Sequence, residues 1–526
     1  MYLMGERTRQ IQSEIEVFGV RLSRRLLVVF AVSAIIFASL TIVRIEQLSR
    51  PHVAIANGVV NPLPEQTIQG FGASGAWWSS PVFAMSRATR SAIGRLLFSD
   101  SGLQLSQFRY NIGGGGLGVT TSWKAPPTFL EPNGSYNFNA DPAGIYFLKM
   151  AKSYGVKDLV GFVNSAPGQF TSNGLNCGGT LIQHDIPAYS QYLVDVVLGV
   201  RREFGIKLEY ISPMNEPDGS MAPCKQEGMH VPVLERSRLV ATLGADLAIE
   251  APWCHVIADE SSVVANQLLP ELPRWINRLG AKSYVAAVAH HTYDYPGPRV
   301  LSAMKKLMLR LHRPSWTTEI CCFNGTRFGY QYDPTMTSGM WLAKSIFNDL
   351  IYGGDSAFDW WTAVSPNLGC EPAQDPGCAT RANILGRNDG LMYYDINYAS
   401  DKNMKLYMTK RYYVMGNYSR FIYPGSILHE VSGLPTGTMA LAAEKLGSWS
   451  LVFIDDRNAN SPRTQIAIQL PTYVRILRVV ASAQTSAASS WSRVNGIETS
   501  RNGIVSFYSS GQDVISVQVA PSLTKQ

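Results

Sequence analysis

The stretch LEYISPMNEP, residues Leu208–Pro217, contains the pattern that decides the fold. Its mostly apolar part, Leu208–Met214, predicts a buried strand, and the polar pair Asn215-Glu216 follows directly. In barrels of alternating strands and helices, the site is built from polar residues at the carboxyl ends of strands. The stretch therefore predicts one β/α unit of such a barrel, with a carboxylate at its mouth.

Similar runs recur through residues 67–415, and segments with helical periodicity separate them, such as Ile145–Tyr154, Ile186–Arg202 and Leu234–Ala248. Eight strands that alternate with helices predict an α/β fold, a (β/α)8 TIM barrel. The eight predicted strands are Ile68–Ala73, Leu105–Tyr110, Leu159–Asn164, Leu208–Met214, His255–Asp259, Tyr284–His290, Ser315–Glu319 and Ser356–Trp361.

The pattern changes over residues 416–526, where short alternating runs are separated by Gly, Asn, Ser and Pro. Such runs, for example Trp449–Ile454, Gln465–Leu470 and Val474–Val480, predict a β-sandwich side domain at the C-terminal end. The segment 52–66 contains a further strand pattern, His52–Leu63, which we expect to join that sandwich.

The N-terminal region carries a targeting signal. Residues 26–43 are uncharged and mostly apolar and follow the basic residues Arg21, Arg24 and Arg25. As a helix this run rises about 27 Å, close to the hydrocarbon thickness of a membrane. We expect residues 1–25 to stay cytoplasmic and everything after the run to be exported. Either a single-pass anchor or a cleaved signal peptide fits the run, so the catalytic part is membrane-anchored outside the cytoplasm or secreted.

Cysteines and glycosylation sequons agree with export. Among the seven cysteines, Cys370 and Cys378 bracket a loop that a disulfide can close, and Cys177 with Cys224 is a second plausible pair. The other three cysteines have no assigned partner. Sequons begin at Asn133, Asn324 and Asn417.

Charge and metal-ligand spacing exclude several classes of protein. The net charge is +7, and residues 1–50 hold seven Lys/Arg against four Asp/Glu. The charge left for the rest of the chain is too small for a nucleic-acid-binding surface. No Cys or His cluster has metal-ligand spacing, although His290-His291 are adjacent, so we expect no metal and no cofactor. We also expect a monomer.

Two carboxylates end predicted strands four and seven. Glu216 and Glu319 are 103 residues apart, the spacing that brings both to the same barrel mouth. Two carboxyl groups that flank a scissile bond are what glycoside hydrolysis requires. Asp259 and Glu260 form a rival pair, but adjacent residues of a strand face opposite ways, so at most one enters the site.

The motifs resemble glycoside hydrolase family 30, in particular its fungal-type endo-β-1,6-galactanases. The resemblance rests on GFGASGAWW at residues 70–78, SPMNEP at 212–217, HTY at 291–293 and TTE at 317–319. It covers roughly residues 52–520. The pair Cys321-Cys322 and the N-terminal apolar run depart from the family pattern.

The resemblance implies a retaining mechanism, with Glu216 as general acid/base and Glu319 as nucleophile. It implies that Asn215 binds a sugar hydroxyl, that Arg109 keeps Glu319 ionised and that Tyr293 donates to Glu319. The alternative roles are loop capping for Asn215, a structural ion pair for Arg109 and a core position for Tyr293. Trp361, Trp78 and Asn164 are further candidate substrate-binding residues, and the two tryptophans are equally compatible with the core.

The implied substrate is a polysaccharide or glycoconjugate, with β-1,6-linked galactan favoured. Glucosylceramidase-like or β-1,6-glucanase activity is the alternative within the same scaffold. A catalytically silent, membrane-tethered glycan-binding protein is the alternative from another class. The run Gly113–Gly116 lacks the residues of a phosphate-binding loop, so we interpret it as a tight loop that lets substrate approach the backbone.

Overall fold

The computed structural model describes residues 16–17, 20–21, 55–219, 221–323, 325, 329–474 and 477–522. The chain divides into two units, residues 1–54 and 55–526. In the first, Glu16–Val17 pairs antiparallel with Val20–Arg21. The expected apolar segment 26–43 lies outside the described residues. Within the part that is described, no helix has the length and apolarity needed to cross a membrane.

Eight parallel strands close into a barrel, which confirms the predicted fold class. Each strand pairs with its neighbours in chain order, and the eighth pairs with the first. The barrel strands are β1 (Gly70–Ser74), β2 (Gln107–Ile112), β3 (Asp158–Val163), β4 (Tyr210–Ser212), β5 (His255–Ser261), β6 (Val285–His291), β7 (Ser315–Glu319) and β8 (Ala357–Trp360).

Helices cover the outside of the barrel, and several have a proline in the first turn, where the missing N–H costs nothing. The α-helices are Ser79–Phe83, Arg87–Phe98, Pro142–Ser153, Ile186–Phe204, Val233–Glu250, Leu269–Trp275, Ala281–Tyr284, Pro298–Leu311, Met336–Asn348 and Lys410–Ser419. Short 3-10 or π segments are Ser122–Lys124, Gly168–Phe170, Gln183–Asp185, Val264–Leu268, Asp349–Gly353 and Cys378–Thr380.

Strand β4 is shorter than its apolar run. The sequence predicts Leu208–Met214, but the strand covers only Tyr210–Ser212. Pro213 has no N–H to donate to the ladder, so strand pairing stops before it. The chain then turns, and Glu216 takes a left-handed backbone conformation with φ of 45°. Its N–H donates to the carbonyl of Glu260, which fixes this turn to the end of β5.

A nine-stranded sheet forms the side domain, and its two halves pack around one core that includes Trp449, Phe453, Ile466, Phe507 and Val517. The nine strands are Ile55–Val60, Ile427–Ser432, Thr438–Lys445, Ser448–Asp455, Thr464–Gln469, Leu477–Thr485, Glu498–Thr499, Ile504–Ser509 and Asp513–Pro521. Two small sheets complete the described strands: Thr362–Ser365 with Gly390–Tyr394 and Leu406–Met408, and Gly179–Thr180 with Met229–His230.

The strand Ile55–Val60 lies inside the side domain. It pairs parallel with Thr464–Gln469 on one side and antiparallel with Ile427–Ser432 on the other. The sheet therefore combines segments from both sides of the barrel sequence.

Two predicted disulfides are present, Cys177–Cys224 and Cys370–Cys378. Adjacent Cys321 and Cys322 are also bridged, and Cys254 is a buried free thiol.

The sequons differ in their surroundings. Asn133 is exposed, whereas Asn417 is completely buried and donates to the Ser516 hydroxyl at 2.9 Å. The sequon at Asn417 is therefore not available to a glycan in the folded protein, because the amide is already used inside it. Asn324 lies outside the described residues.

Glycine at position 72 is required by close packing inside the barrel. A Cβ there would lie 2.1 Å from Oδ1 of Asp359 on β8 and 2.8 Å from Cβ of Gln107 on β2. Both neighbours come from strands paired with β1. The glycine therefore gives Asp359 its place in the barrel interior.

We expect Gly72→Ala to lower the free energy of unfolding by about 1–3 kcal/mol, because the added methyl group overpacks the barrel. Urea unfolding followed by circular dichroism measures this change. Gly219→Ala is the control, since no heavy atom lies within 4 Å of a Cβ added there. Equal stability of the two variants would contradict the packing argument.

Candidate active site

Glu216 and Glu319 face each other at the mouth of the barrel. One carboxylate oxygen of each, together with a ring nitrogen of His291, lie within 4.8 Å of one another. Carboxyl groups of retaining glycosidases are about 5–5.5 Å apart, and those of inverting enzymes about 6.5–9.5 Å. The short separation fits the retaining arrangement.

Both oxygens of Glu319 have hydrogen-bond donors. Arg109 on β2 donates to Oε2 at 3.0 Å, and the Tyr293 hydroxyl donates to Oε1 at 2.8 Å. Arg109 is fully buried, and its guanidinium lies 4.2 Å from the ring centre of Phe162. Burial raises the pKa of Glu319, while His291 and Arg109 oppose that rise. A buried carboxylate at this position is thus stabilised in its charged form by two cations and a hydroxyl.

His291 connects three carboxylates. Its Nδ1 lies 3.1 Å from Glu216 and 3.7 Å from Glu319, and its Nε2 lies 3.0 Å from Glu260. Burial alone would lower the pKa of His291. The charge of Glu319 and the hydrogen bonds to Glu216 and Glu260 outweigh burial and raise the pKa to about 10. The imidazole is therefore an imidazolium at neutral pH.

Glu260 lies next to Glu216, Glu319 and their partner His291 and is completely buried. It is 3.4 Å from Arg109, accepts from His291 and accepts a short hydrogen bond from Thr318. Burial would raise the pKa of Glu260, but Arg109 and His291 lower it to about 2. The neighbouring Asp259 faces away, where it binds Arg236 at 2.9 Å. Only one residue of this pair enters the site, in keeping with strand alternation.

These contacts balance the charges of the site. The two cations, Arg109 and His291, lie against the carboxylates of Glu260 and Glu319. Charges buried together in this way need partners, because desolvation of an unpaired charge is costly. The third carboxyl group, Glu216, is the most exposed of the three and lines the open cleft. It is therefore the group best placed to exchange a proton with substrate.

Glu216, His291 and Glu319 are also close enough together to hold a metal ion. Both ring nitrogens of His291 already contact carboxylates, Nδ1 with Glu216 and Nε2 with Glu260. A metal ligand must offer a deprotonated nitrogen, whereas this imidazole is held as a cation. The surroundings of His291 thus favour a proton-bearing role over a metal-binding one.

A cleft of about 350 Å³ lies above the two glutamates. Trp361 lines it, and its backbone N–H donates to the carbonyl of Ile320, the residue that follows β7. The bridged pair Cys321–Cys322 also lines it. Other lining residues are Trp77, Lys124, Met221, Lys225, Gln226, Tyr293, Asn367, Arg387 and Asp389.

Asn215 is buried next to Glu216, and its Oδ1 has no hydrogen-bond partner among the described residues. A buried, unpaired amide oxygen is costly unless something binds it. A substrate hydroxyl is the donor expected there.

Trp78 does not line the cleft, so the expectation that it contacts sugar is corrected. Its ring is buried against Phe147 at 4.6 Å, and its Nε1 donates to the Ser74 carbonyl at 2.9 Å. The preceding residue, Trp77, takes the cleft position instead, with a left-handed φ of 69°. This backbone conformation turns the two adjacent rings to different sides of the loop.

Asn164 is buried and donates to Oδ1 of Asn111 at 3.0 Å. It is not among the residues that line the cleft. Asn164 therefore contacts the end of β2 instead of the open cavity.

The loop Gly113–Gly116 binds a side chain of the protein itself. Glu227 is completely buried and accepts from the N–H groups of Gly114 at 3.2 Å and Gly116 at 2.9 Å. The interpretation of this loop as a substrate-approach surface is therefore corrected. Its N–H groups hold the segment that follows the Cys177–Cys224 disulfide, and that segment carries the cleft residues Lys225 and Gln226.

Sequence reasoning missed His291 and Glu260 as members of the buried site. Each follows a similar residue, His290 or Asp259, and the sequence does not show which of the two faces inward. His290 turns away and contacts Asp355 at 3.0 Å. The position of Tyr293 two residues after His291 was the available signal, because residues two apart face the same way along a strand.

We expect His291 to remain protonated through neutral pH, which the nitrogen chemical shifts of its ring measure across a pH titration. Glu260→Gln removes one partner, so the pKa of His291 should fall from about 10 toward its ordinary 6.5. Asp259→Asn is the matched control and should leave that pKa unchanged. A neutral ring at pH 8 in the unaltered protein would contradict the charge balance.

The same titration has a consequence for stability. In the folded protein the pKa of His291 lies above its ordinary 6.5. The protonated ring therefore stabilises the fold fully below about pH 6.5, and this contribution is lost as the pH rises through 10. Comparing urea unfolding of the unaltered protein and His291→Gln at pH 6 and pH 10 measures this loss. If the two proteins differ in free energy of unfolding by the same amount at both pH values, the expectation is contradicted.

Comparisons with known proteins agree with this geometry. Residues 59–271 match the model of O-Glycosyl hydrolase family 30. No curated protein matches the chain at a significant level.

Solved structures share the fold. The catalytic domain of GH30 xylanase C from Talaromyces cellulolyticus is 20% identical with a TM-score of 0.66, covering 88% of this chain and 100% of that one. An endo-β-1,6-glucanase is 17% identical with a TM-score of 0.66, covering 90% and 94%. A conserved exported protein from Bacteroides fragilis is 20% identical with a TM-score of 0.69, covering 88% and 99%. The family model over residues 59–271 therefore confirms the resemblance to glycoside hydrolase family 30 drawn from the motifs, and the solved structures share the fold.

Proposed function

We propose that the chain is a retaining glycoside hydrolase in which Glu319 is the nucleophile and Glu216 the general acid/base. The observation that carries this proposal is the short separation of the two carboxylates at the mouth of the barrel. Their surroundings support different roles for them. Glu319 is held by Arg109 and Tyr293, whereas Glu216 borders the open cleft.

In the first step Glu319 attacks the anomeric carbon of the sugar. The glycosidic bond breaks as Glu216 gives its proton to the leaving oxygen, and a glycosyl ester with Glu319 forms. Arg109 keeps the attacking carboxylate ionised before the step. Tyr293 holds Glu319 in orientation through its 2.8 Å hydrogen bond.

In the second step Glu216, now a carboxylate, takes a proton from water. The resulting nucleophile attacks the anomeric carbon from the face that the leaving group left, and Glu319 departs. Two inversions leave the configuration of the sugar unchanged. His291 contacts both glutamates, so it reduces the repulsion between them when both are charged.

We propose β-1,6-linked galactan chains as the substrate. The resemblance of the strand-one motif, residues 70–78, to fungal-type galactanases supports this linkage. The similarity in fold to an endo-β-1,6-glucanase favours β-1,6-glucan as the second candidate. The two polymers share the linkage and differ in the sugar, so the choice depends on contacts to individual hydroxyl groups.

We also propose that the enzyme acts outside the cytoplasm. The three disulfides support an oxidising setting, and one solved relative in fold is described as an exported protein. Whether residues 26–43 stay attached determines if it is anchored or secreted.

The roles of the two glutamates are distinguished by adding azide to their alanine variants. The substrate is the dinitrophenyl β-glycoside of the β-1,6-linked galactose disaccharide. Glu216→Ala should still form the glycosyl ester, because this leaving group needs no proton, and azide should then yield the β-glycosyl azide. Glu319→Ala forms no ester, so azide should attack the substrate directly and give the α-azide. Product anomers are assigned by proton NMR.

Without azide, we expect Glu216→Ala to lose about 10²–10⁴-fold in kcat on natural substrate, as is usual for a missing general acid/base. Glu250→Gln, an exposed carboxylate change, is the control and should keep full activity. Identical azide products from both variants would refute the assignment of roles.

The substrate is tested with residues 51–526 on de-arabinosylated β-1,3/1,6-galactan, β-1,6-glucan and glucosylceramide, with products separated by size. We expect short β-1,6-galacto-oligosaccharides from the unaltered protein and none from Glu319→Gln. Cleavage of glucan or glucosylceramide alone would replace the substrate and keep the mechanism. No cleavage of any of the three would argue against the proposed activity.

A further inference from the structure

A second cavity of about 240 Å³ lies beside the catalytic cleft. It is formed by the loops that follow β1 and β2, so it opens on the same face of the barrel as Glu216 and Glu319. Its walls include Trp77 from the first loop, Phe83 from the helix Ser79–Phe83 and Trp123 from the second loop. The start of the helix Pro142–Ser153 forms its base.

Trp77 joins the two cavities, because it lines both of them. On the cleft side its ring meets Trp361 edge-on, with centroids 4.6 Å apart. On the other side it meets Trp123 edge-on at 5.9 Å. Lys124 lies 3.8 Å from the centre of the Trp77 ring and lines the cleft. A saccharide that extends from the cleft past Trp77 therefore reaches the second cavity without crossing the barrel wall.

The chemistry of the second cavity suits a neutral sugar. Nε1 of Trp77 is buried and has no hydrogen-bond partner among the described residues. Such a donor is expected to bind an acceptor that arrives from outside the chain. The hydroxyls of Ser80 and Ser122 are exposed at the rim. Aromatic walls with a few polar groups match a pyranose ring, which has apolar faces and a rim of hydroxyls.

The carboxyl group at the base of the cavity is already hydrogen-bonded within the protein. The carboxylate of Asp141 accepts from the Tyr110 hydroxyl at 2.8 Å and from the N–H of Gly144 at 2.8 Å. It is buried and satisfied, so it does not call for a cationic ligand. The cavity is also smaller than the roughly 300–1,000 Å³ of drug-sized pockets, which limits its occupant to about one ring.

We propose that this cavity is an additional sugar-binding subsite that takes one neutral pyranose unit of the same saccharide chain that is cleaved at Glu216 and Glu319. The proposal rests on the proposed function, because it assumes that the chain's substrate is a saccharide held in the catalytic cleft. It predicts that affinity and kcat/KM rise in one step when an oligosaccharide becomes long enough to pass Trp77.

The test compares β-1,6-galacto-oligosaccharides and β-1,6-gluco-oligosaccharides of two to six units. Binding to Glu319→Gln is measured by calorimetry, which requires no turnover, and kcat/KM is measured on the active protein. Trp123→Ala removes one wall, and Ser80→Trp fills the cavity from its exposed rim. Trp123→Phe keeps an aromatic wall, and Ser101→Trp places the same side chain at an exposed position away from the cavity.

In the unaltered cavity we expect the affinity for oligosaccharides to rise at least about fivefold at the length that passes Trp77. Trp123→Ala and Ser80→Trp should abolish this rise and should have a smaller effect on the affinity for the shortest oligosaccharide. Trp123→Phe should retain most of the step, and Ser101→Trp all of it. An unchanged step in both cavity variants would overturn the subsite. So would the absence of any length dependence, or of any binding, in the Glu319→Gln protein.

Failure of the proposed function gives a different result. If Glu319→Gln binds long oligosaccharides and loses the step with Trp123→Ala, while the active protein cleaves none of them, the subsite stands and the hydrolase activity falls. If the protein cleaves both series with no effect of the cavity variants, the hydrolase stands and the subsite falls.

Discussion

The ion pair between buried Arg109 and the carboxylates of Glu260 and Glu319 is the interaction on which the site depends. A guanidinium in the barrel interior must be neutralised, because its desolvation is compensated only by close opposite charge. Glu260 supplies one negative charge and Glu319 the other, and His291 adds the second cation. Removing any one member leaves the buried charges unbalanced. The groups proposed to react are thus held in place by the same ion pairs that compensate the desolvation of charge in the barrel interior.

Much of this arrangement follows from the sequence, because the barrel rule ties function to strand ends. Glu216 and Glu319 were predicted from their positions after apolar runs, and Arg109 and Tyr293 from the family resemblance. The side that adjacent residues face was harder to predict. Asp259 and Glu260, His290 and His291, and Trp77 and Trp78 each divide between two sides. One residue of register decides the first two pairs, and β-bulges near residues 259–261 and 290–291 shift that register. The left-handed backbone of Trp77 decides the third.

Loop structure was the other limit of prediction. The glycines of Gly113–Gly116 correctly indicated unusual backbone geometry, but their N–H groups bind Glu227, which is more than 100 residues away. Burial raises the pKa of Glu227 to about 8, although the backbone N–H groups oppose that rise. No local pattern marks such a partner, because it depends on how the Cys177–Cys224 loop folds over the barrel. Prediction therefore succeeded where strand periodicity controls position and failed where two loops meet.

The strand Ile55–Val60 has a consequence for how the chain is made. Its two neighbours in the sheet begin at Ile427 and Thr464, so more than 360 residues separate it from either. During synthesis it leaves the ribosome long before they do, with both edges open to wrong partners. The intervening barrel can assemble from β/α units that are near one another in sequence, whereas the side domain closes only at the end. During synthesis from the N-terminus this first strand therefore stays unpaired until the last part of the chain is made. Chaperones that cover exposed strand edges should protect this strand from aggregation more than any strand of the barrel.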